Sequence, residues 1–413
     1  MVHFAGFLKI ACGSLSMPNT TRQWIYAKPL ECGKLGPQYF ELREVALPEL
    51  KDGDALVRVK LINIHCNTRM RMFTGAVPQG ETNGSNYGCA QVIESRTPAF
   101  QKGDLIACQA GWQEYQVVST EAGPIGHGAA SELTRALNGT NSPFIYKYRT
   151  AVVKMWPEEV LIEMLGTSGM TAYFGMRECG PLMPADRVAV AGATGSVGSI
   201  VAQLAKASGC YVVGFAGGKD RCDWVVENLG IDGCIDYRAT DFQNQLRSAF
   251  PDGIDVFSDG VGGCLTETVV EQINPNGRLF AYGGAAAFYA DQFGPEREGS
   301  NIRKFFGISD KVEAILKQKN IKADAFMGHL FYHERLKAED DLSRLMLARK
   351  LKPIYNVVEG FENLPQAIIA LYEKPRHGKL QVRFQAGGAS CLTPYEPWAT
   401  RSFAPPEERL RSG

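Results

Sequence analysis

A chain of 413 residues, 45% apolar and 21% charged, exceeds the size that one hydrophobic core serves, so two domains are expected. Its 44 basic and 44 acidic residues cancel, which excludes the basic surface that draws nucleic acid or anionic membranes and favours a small-molecule substrate. Eleven scattered cysteines with no CxxC pair exclude a disulfide framework and a four-thiolate zinc site, and point to a reducing compartment, the cytoplasm.

Residues 1–19 read as a disordered extension. The stretch "HFAGFLKIACGSLS" lacks a basic flank and is too short to span a bilayer. The first 30 residues hold no acid, which leaves an organelle-targeting role and a natural start at Met17 as two readings. From residue 20 to 158, runs such as "DALVRVKLINI" and "AQVIES" alternate with turn clusters and predict a β-rich domain. Within it, residues 119–143, "STEAGPIGHGAASELTRALNGTNSP", are weakly periodic and predict a surface insertion or a mobile loop. Residues 159–350 open with the helical spacing of "PEEVLIEMLGTSGMTAYFGMRECG" and then repeat strand, turn and helix. That alternation requires crossovers and predicts a doubly wound parallel sheet. Residues 351–385 predict a return to the first domain, and 386–413, mixing Pro, Gly, Ser and charges, a disordered tail.

The segment "AVAGATGSVGSIVAQLAKASG" places Gly192, Gly195 and Gly198 between an apolar strand and a helical run. Side-chain-free turns admit a pyrophosphate, and amides at the helix start meet its charge, so Gly192, Ala193, Thr194, Gly195, Ser196, Val197 and Gly198 are the expected cradle. An NAD-specific unit ends its second strand on an acid that holds the ribose. Here Gly217 and Gly218 are followed by Lys219 and Arg221, two cations suited to a 2′-phosphate, so NADP(H) is expected. Tyr237, after the third strand, is left three places: stacked near the adenine, at the phosphate, or in the core. His65 and Cys66, adjacent in an expected strand, should point to opposite faces.

Several motifs together, "RQWIYAKP", "MTAYFGM", "AGATGSVGSIVAQLAK", "VVGFAGG", "IDYR", "DGIDVFSDGVGG" and "VVEGFENLPQAIIALYEKPRHGKLQVRF", resemble the zinc-independent medium-chain dehydrogenase/reductases. The subgroup is that of prostaglandin reductase, leukotriene B4 12-hydroxydehydrogenase and the plant double-bond reductases. The resemblance covers residues 20 to 384. It implies a GroES-like β-rich domain beside a Rossmann-type domain, a homodimer, and NADPH-dependent reduction of a carbon–carbon double bond conjugated to a carbonyl. It also implies phosphate contacts at Gly218, Arg221 and Tyr237 and no metal, because "NGSNYGCAQVIES" stands where zinc-dependent relatives carry ligands.

Departures gather at the nicotinamide end. Where the family reads Asp-Pro-Tyr-Met-Arg, this chain has Asn67, Thr68, Arg69, Met70 and Arg71; the family's asparagines fall at Gly260 and Arg376, and its tyrosine at Phe288, next to Tyr289. The expected site therefore has Tyr289, Arg69 and Tyr282 as catalytic residues. Ser168, Met170, Gly260, Val261 and Arg376 extend the cofactor contacts, and Arg71, Tyr87 and Phe288 line the substrate pocket. The three arginines suit a carboxylate or a polarised carbonyl, and each alone is equally a surface arginine. Tyr282, Phe288, Tyr289, Phe305 and Phe306 suit a bulky apolar or conjugated substrate. Two other readings stay open: non-redox isomerisation or cyclisation on bound NADP(H), and a structural protein on an inactive fold.

Overall fold

A computed structural model describes residues 18–30, 35–73, 75–286, 303, 306–373 and 377–384. Phe288, Tyr289, Phe305, Arg376, most of the expected N-terminal extension and the expected tail lie outside these residues.

Strands β1 (Thr20–Tyr26) and β2 (Phe40–Ala46) pair antiparallel over their full length. Next come β3 (Asp54–Asn63), α1 (Asn67–Phe73), β4 (Asn86–Ser95), β5 (Leu105–Ala110), β6 (Tyr115–Ser119), α2 (Glu132–Asn138) and β7 (Tyr146–Lys147). Helices α3 (Thr150–Met155), α4 (Glu158–Ile162) and α5 (Thr167–Glu178) lead into the second half. There β8 (Arg187–Ala191), α6 (Ser196–Ala207), β9 (Tyr211–Ala216), α7 (Lys219–Leu229), β10 (Gly233–Asp236), α8 (Phe242–Ala249), β11 (Ile254–Asp259), α9 (Cys264–Val269), β12 (Ile273–Ala281), α10 (Asp310–Gln318) and β13 (Lys322–Ala325) alternate. The described chain closes with α11 (Arg335–Leu347), β14 (Tyr355–Glu359), α12 (Leu364–Glu373) and β15 (Lys379–Arg383).

The six strands β8 to β13 form one parallel sheet in the order β10-β9-β8-β11-β12-β13. Its central strand, "RVAVA", is apolar after Arg187 because both faces are covered. Val188 and Val190 pack on the α5 and α6 side, while Ala189 and Ala191 join the opposite cluster with Phe257 and Val312. The chain leaves β8 toward β9 and later returns to β11 on the other flank, so a crevice opens at the strand ends between β8 and β11. The other sheet has the order β14-β15-β3-β4-β5-β7, with β6 on β3. It draws β14 and β15 back from the far end of the chain, and β15 pairs antiparallel with β3.

Two expectations are corrected. Of the two readings of residues 119–143, the surface insertion holds and the mobile loop does not: the segment is largely exposed, but Ser131 caps α2 by accepting from Thr134 N at 3.2 Å, and Gly139, at φ +72°, ends the helix. Thr134, Thr140 and Ser142 are buried, and Thr140 Oγ1 donates to the Ile145 carbonyl at 2.7 Å. The segment supplies its own hydrogen-bond partners, which polar composition and weak periodicity do not display. The helical stretch from Glu158 to Glu178 is broken between Ile162 and Thr167, where any side chain at Gly166 would collide with the Ile162 carbonyl. The break leaves Glu163 in the interior, its carbonyl accepting from Gly169 N at 3.1 Å.

Candidate active site

The glycine turn sits at the crevice. Gly192 holds φ +65°, Gly195 N donates to Gly192 O at 2.8 Å, and a side chain at Gly198 would strike Gly192 O. Gly195 caps α6 without a side-chain bond, so the first-turn amides face outward, as an anionic pyrophosphate requires. Thr194 ties this turn to the other sheet. Its carbonyl accepts from Gly378 N at 2.8 Å, and Gly378 holds φ +71° against Ile354.

The corner after β9 is built for a second phosphate. Gly218 is at φ +97°, and its amide donates to Asp236 Oδ1 at 2.9 Å. The Tyr237 hydroxyl and the Arg238 guanidinium lie over Gly217, at 3.1 and 2.8 Å from where a Cβ would sit. Arg221 reaches back to donate to Thr194 Oγ1, and its Nε has no partner among the described residues. Lys219 turns away, exposed and paired with Asp223 at 2.6 Å, so it contributes the start of α7 and not its charge. Arg238 was not among the expected residues; its signal is its place directly after Tyr237. A glycine corner with paired guanidinium groups and an orphaned Nε fits the 2′-phosphate of NADP(H).

The far lip of the crevice is the loop after β11. Asp259, fully buried, accepts from Val261 N at 2.8 Å and Gly262 N at 3.1 Å, and Thr266 Oγ1 donates to its second oxygen. A Cβ at Gly260 would lie 2.5 Å from the Tyr282 ring, so Tyr282 fills the volume a side chain there would take. Tyr282 packs on Phe280 at 4.8 Å, and burial together with Asp259 raises its hydroxyl pKa. Tyr282, half-buried, stands at this lip with its ring in the volume that Gly260 leaves.

The cleft wall opposite is aromatic. Tyr87, Phe144, Tyr146, Tyr332, Gly166 and Thr167 line one cavity. Tyr87 Oη and His127 Nε2 are 3.0 Å apart, and the His127 ring is held edge-on between Phe144 at 4.9 Å and His329 at 5.1 Å. Arg71 Nη1 lies against Gly126 of the same segment. Thus the polar insertion, through His127, packs against Tyr87 and Phe144 of that wall. Arg69 is corrected: it is 6% exposed and stacks on Tyr372 at 5.2 Å, so it is not a surface arginine and does not line this cavity. Met170 is fully buried in the α5 core, whereas Ser168 Oγ meets Ser196 Oγ at 2.6 Å and so joins α5 to the glycine turn.

Behind that contact lies a buried polar group unforeseen from sequence. Glu163 is fully buried, with Oε1 3.4 Å from Ser196 Oγ and Oε2 without a partner among the described residues. Burial pushes its carboxyl up to about 8, opposed by the Lys379 ammonium and Ser196. Lys379 is 8% exposed, pushed down to about 8 by burial, and its Nζ lies 3.1 Å from His65 Nδ1. His65 and Cys66 lie beyond the end of β3, so the expected alternation does not apply. His65 turns edge-on to Tyr87 at 5.1 Å, and burial, then Lys379, holds it neutral. Among the described residues no three His, Cys, Asp or Glu side chains are grouped to hold a metal ion.

Two sheets with a glycine cradle at the switch point and a cationic corner beside it define a two-domain dinucleotide-binding protein. Comparison with known proteins extends this. Residues 22–124 match a family described as the N-terminal domain of oxidoreductase, and 196–318 match zinc-binding dehydrogenase. The chain is 30% identical to a 2-alkenal reductase (NADP(+)-dependent) of Nicotiana tabacum, over 82% of this chain and 90% of that protein. It is 28% identical to the NADPH-dependent curcumin reductase of Escherichia coli (strain K12), over 88% and 96%. A crystal structure of CurA from Vibrio vulnificus in complex with NADPH superposes with a TM-score of 0.70 at 27% identity, covering 89% of this chain and all of that one. The chain belongs to the medium-chain dehydrogenase/reductase family, in its zinc-independent reductase subgroup.

Proposed function

We propose that this protein is an NADPH-dependent reductase of the carbon–carbon double bond of an α,β-unsaturated carbonyl compound. The observation that carries the cofactor choice is the Gly217–Gly218 corner, overlain by Tyr237 and Arg238 and flanked by Arg221. Relatives named for reducing curcumin, 2-alkenals, pulegone and prostaglandins support the reaction class and favour it over the isomerase and structural readings.

The residues divide the work by position. The turn from Gly192 to Gly198 and the α6 amides hold the pyrophosphate, and Arg221 and Arg238 neutralise the 2′-phosphate. When bound, NADPH supplies the hydride that goes to the β-carbon. Tyr87, Phe144 and Tyr332 supply a packed aromatic surface against which a flat, conjugated substrate would rest; the cavity they line is itself only about 10 Å³, room for one water. In this reading residues 20–158 and 351–385 form the GroES-like domain and 159–350 the Rossmann domain, and Val261, with Gly260, borders the nicotinamide. A cytoplasmic location, in keeping with the free thiols at all eight described cysteines, and a homodimer complete it, and light scattering on purified protein tests the dimer.

Mixing the protein with a panel of conjugated enones and enals tests the reading. NADPH absorbance falls only when an acceptor is present, and NADH is a poor substitute. Tight NADPH binding with no oxidation by any acceptor is the contrary result.

A further inference from the structure

We propose that His377, stacked on Trp224 of α7, is a positioning residue that holds Arg221 in place for the 2′-phosphate of NADP(H). The preference for NADPH over NADH then depends on a contact made by the segment that leads into β15, outside the dinucleotide-binding sheet. This role rests on the reading of the cofactor as NADP(H).

That segment reaches the dinucleotide-binding half with three consecutive residues. The His377 ring lies on the Trp224 indole with centroids 3.9 Å apart and planes 2° from parallel. Gly378 N donates to the Thr194 carbonyl at 2.8 Å. Lys379 brings its buried ammonium within electrostatic reach of Glu163. The backbone of His377 is anchored on its own side, where its carbonyl accepts from Asn356 Nδ2 of β14. The ring Nε2 is buried and has no partner among the described residues, so the indole face holds the imidazole, not a hydrogen bond at that atom.

Trp224 follows Arg221 by three residues on α7, so the two side chains are neighbours on one face of the helix. Arg221 donates to Thr194 Oγ1, and Thr194 is also the residue whose carbonyl Gly378 holds. These contacts close a ring that runs from Arg221 to Thr194, Gly378, His377 and Trp224 and returns along α7 to Arg221. The guanidinium is thus tied at its tip by a hydroxyl, while the stack fixes the turn of α7 from which the side chain starts. Burial first, then the Arg221 charge, push the imidazole down to about 4, so the stacked ring is neutral and does not repel the guanidinium. A long, flexible side chain gives up rotamer freedom when it meets a phosphate, and one already held in place gives up less. NADH has no 2′-phosphate for Arg221 to meet, so this advantage goes to NADPH alone. Breaking the stack leaves the bond from Gly378 to Thr194 in place, and with it the glycine turn that serves both cofactors.

Calorimetry of the full-length protein with NADPH and with NADH measures the two affinities without turnover. His377→Ala is expected to weaken NADPH by about 3- to 10-fold, the range that an aromatic stack commands, and to leave NADH within about 2-fold. His377→Phe keeps a flat ring on the indole and is expected to restore the wild-type NADPH affinity. Trp224→Leu breaks the stack from its other side and is expected to show the same selective loss, which keeps the test available if His377→Ala does not fold. The double variant is no weaker than either single one, because the stack is lost only once. In an Arg221→Met background, His377→Ala has no further effect on NADPH. Equal weakening of both cofactors, a His377→Phe variant as weak as His377→Ala, or an undiminished His377→Ala effect without Arg221 overturns this role. A wild type that binds NADPH no more tightly than NADH instead overturns the cofactor reading.

Discussion

Glu163→Gln isolates the energetic consequence of a carboxyl sealed beside the cofactor turn. The side chain is fully buried, and burial raises its carboxyl from 4.5 to about 8. In the unfolded chain it ionises near about 4.3. Between these values the folded chain holds a proton that the unfolded chain has released, so stability falls as pH rises through that window. The slope is about 1.4 kcal/mol per pH unit, and the fall is complete at roughly 5 kcal/mol once the folded-state carboxyl ionises. Glutamine keeps the shape and stays neutral, so it escapes this loss. From about pH 5.5 to about 7.5 the variant is expected to gain roughly 2.7 kcal/mol relative to the wild type. Urea unfolding of both proteins, followed by tryptophan fluorescence at the two pH values, measures the difference directly. A gap between them that does not change with pH would refute the reasoning, because it would mean that Glu163 carries the same charge folded and unfolded.

Arg221→Met removes a guanidinium from the phosphate corner. KM for NADPH is expected to rise by about 10- to 100-fold, with little effect on NADH, read from initial rates with each cofactor. Gly260→Asn drives a side chain into the Tyr282 ring, 2.5 Å from the Cβ position, and is expected to lower stability by about 1–3 kcal/mol in thermal or urea unfolding. Adding Tyr282→Ala to Gly260→Asn restores part of that loss; a double variant as unstable as the sum of the two singles contradicts the packing argument. Gly378→Ala, at φ +71° and against the Ile354 carbonyl, is expected to cost at least about 2 kcal/mol and to weaken NADPH binding through the lost alignment of Thr194, measured by calorimetry.

The fold and the phosphate end were legible because their signals are local. An apolar strand, glycines three apart and a helical run lie in one stretch, and Gly218 and Arg221 follow the next strand directly. The cleft is different, since it is assembled from distant segments. Nothing near Tyr87 announces His127, which arrives on a polar insertion that looks like a loop until Ser131 and Gly139 are seen to cap its helix. Gly260 reads as a loss until the Tyr282 ring is found in its place, just past the end of the neighbouring strand. Glu163 did leave a trace, an acid inside the apolar run "EVLIEML", but periodicity alone cannot say that a helix break seals it in the interior. Lys379 and His65 meet only because β15 returns to pair with β3.

The central claim, hydride transfer from NADPH to an enone within this cleft, is tested most directly by turnover with NADPH deuterated at the nicotinamide hydride position. The account predicts one deuterium at the β-carbon of a saturated carbonyl product and none at the α-carbon. Deuterium retained in the cofactor, or a rearranged product of unchanged oxidation state, would contradict it.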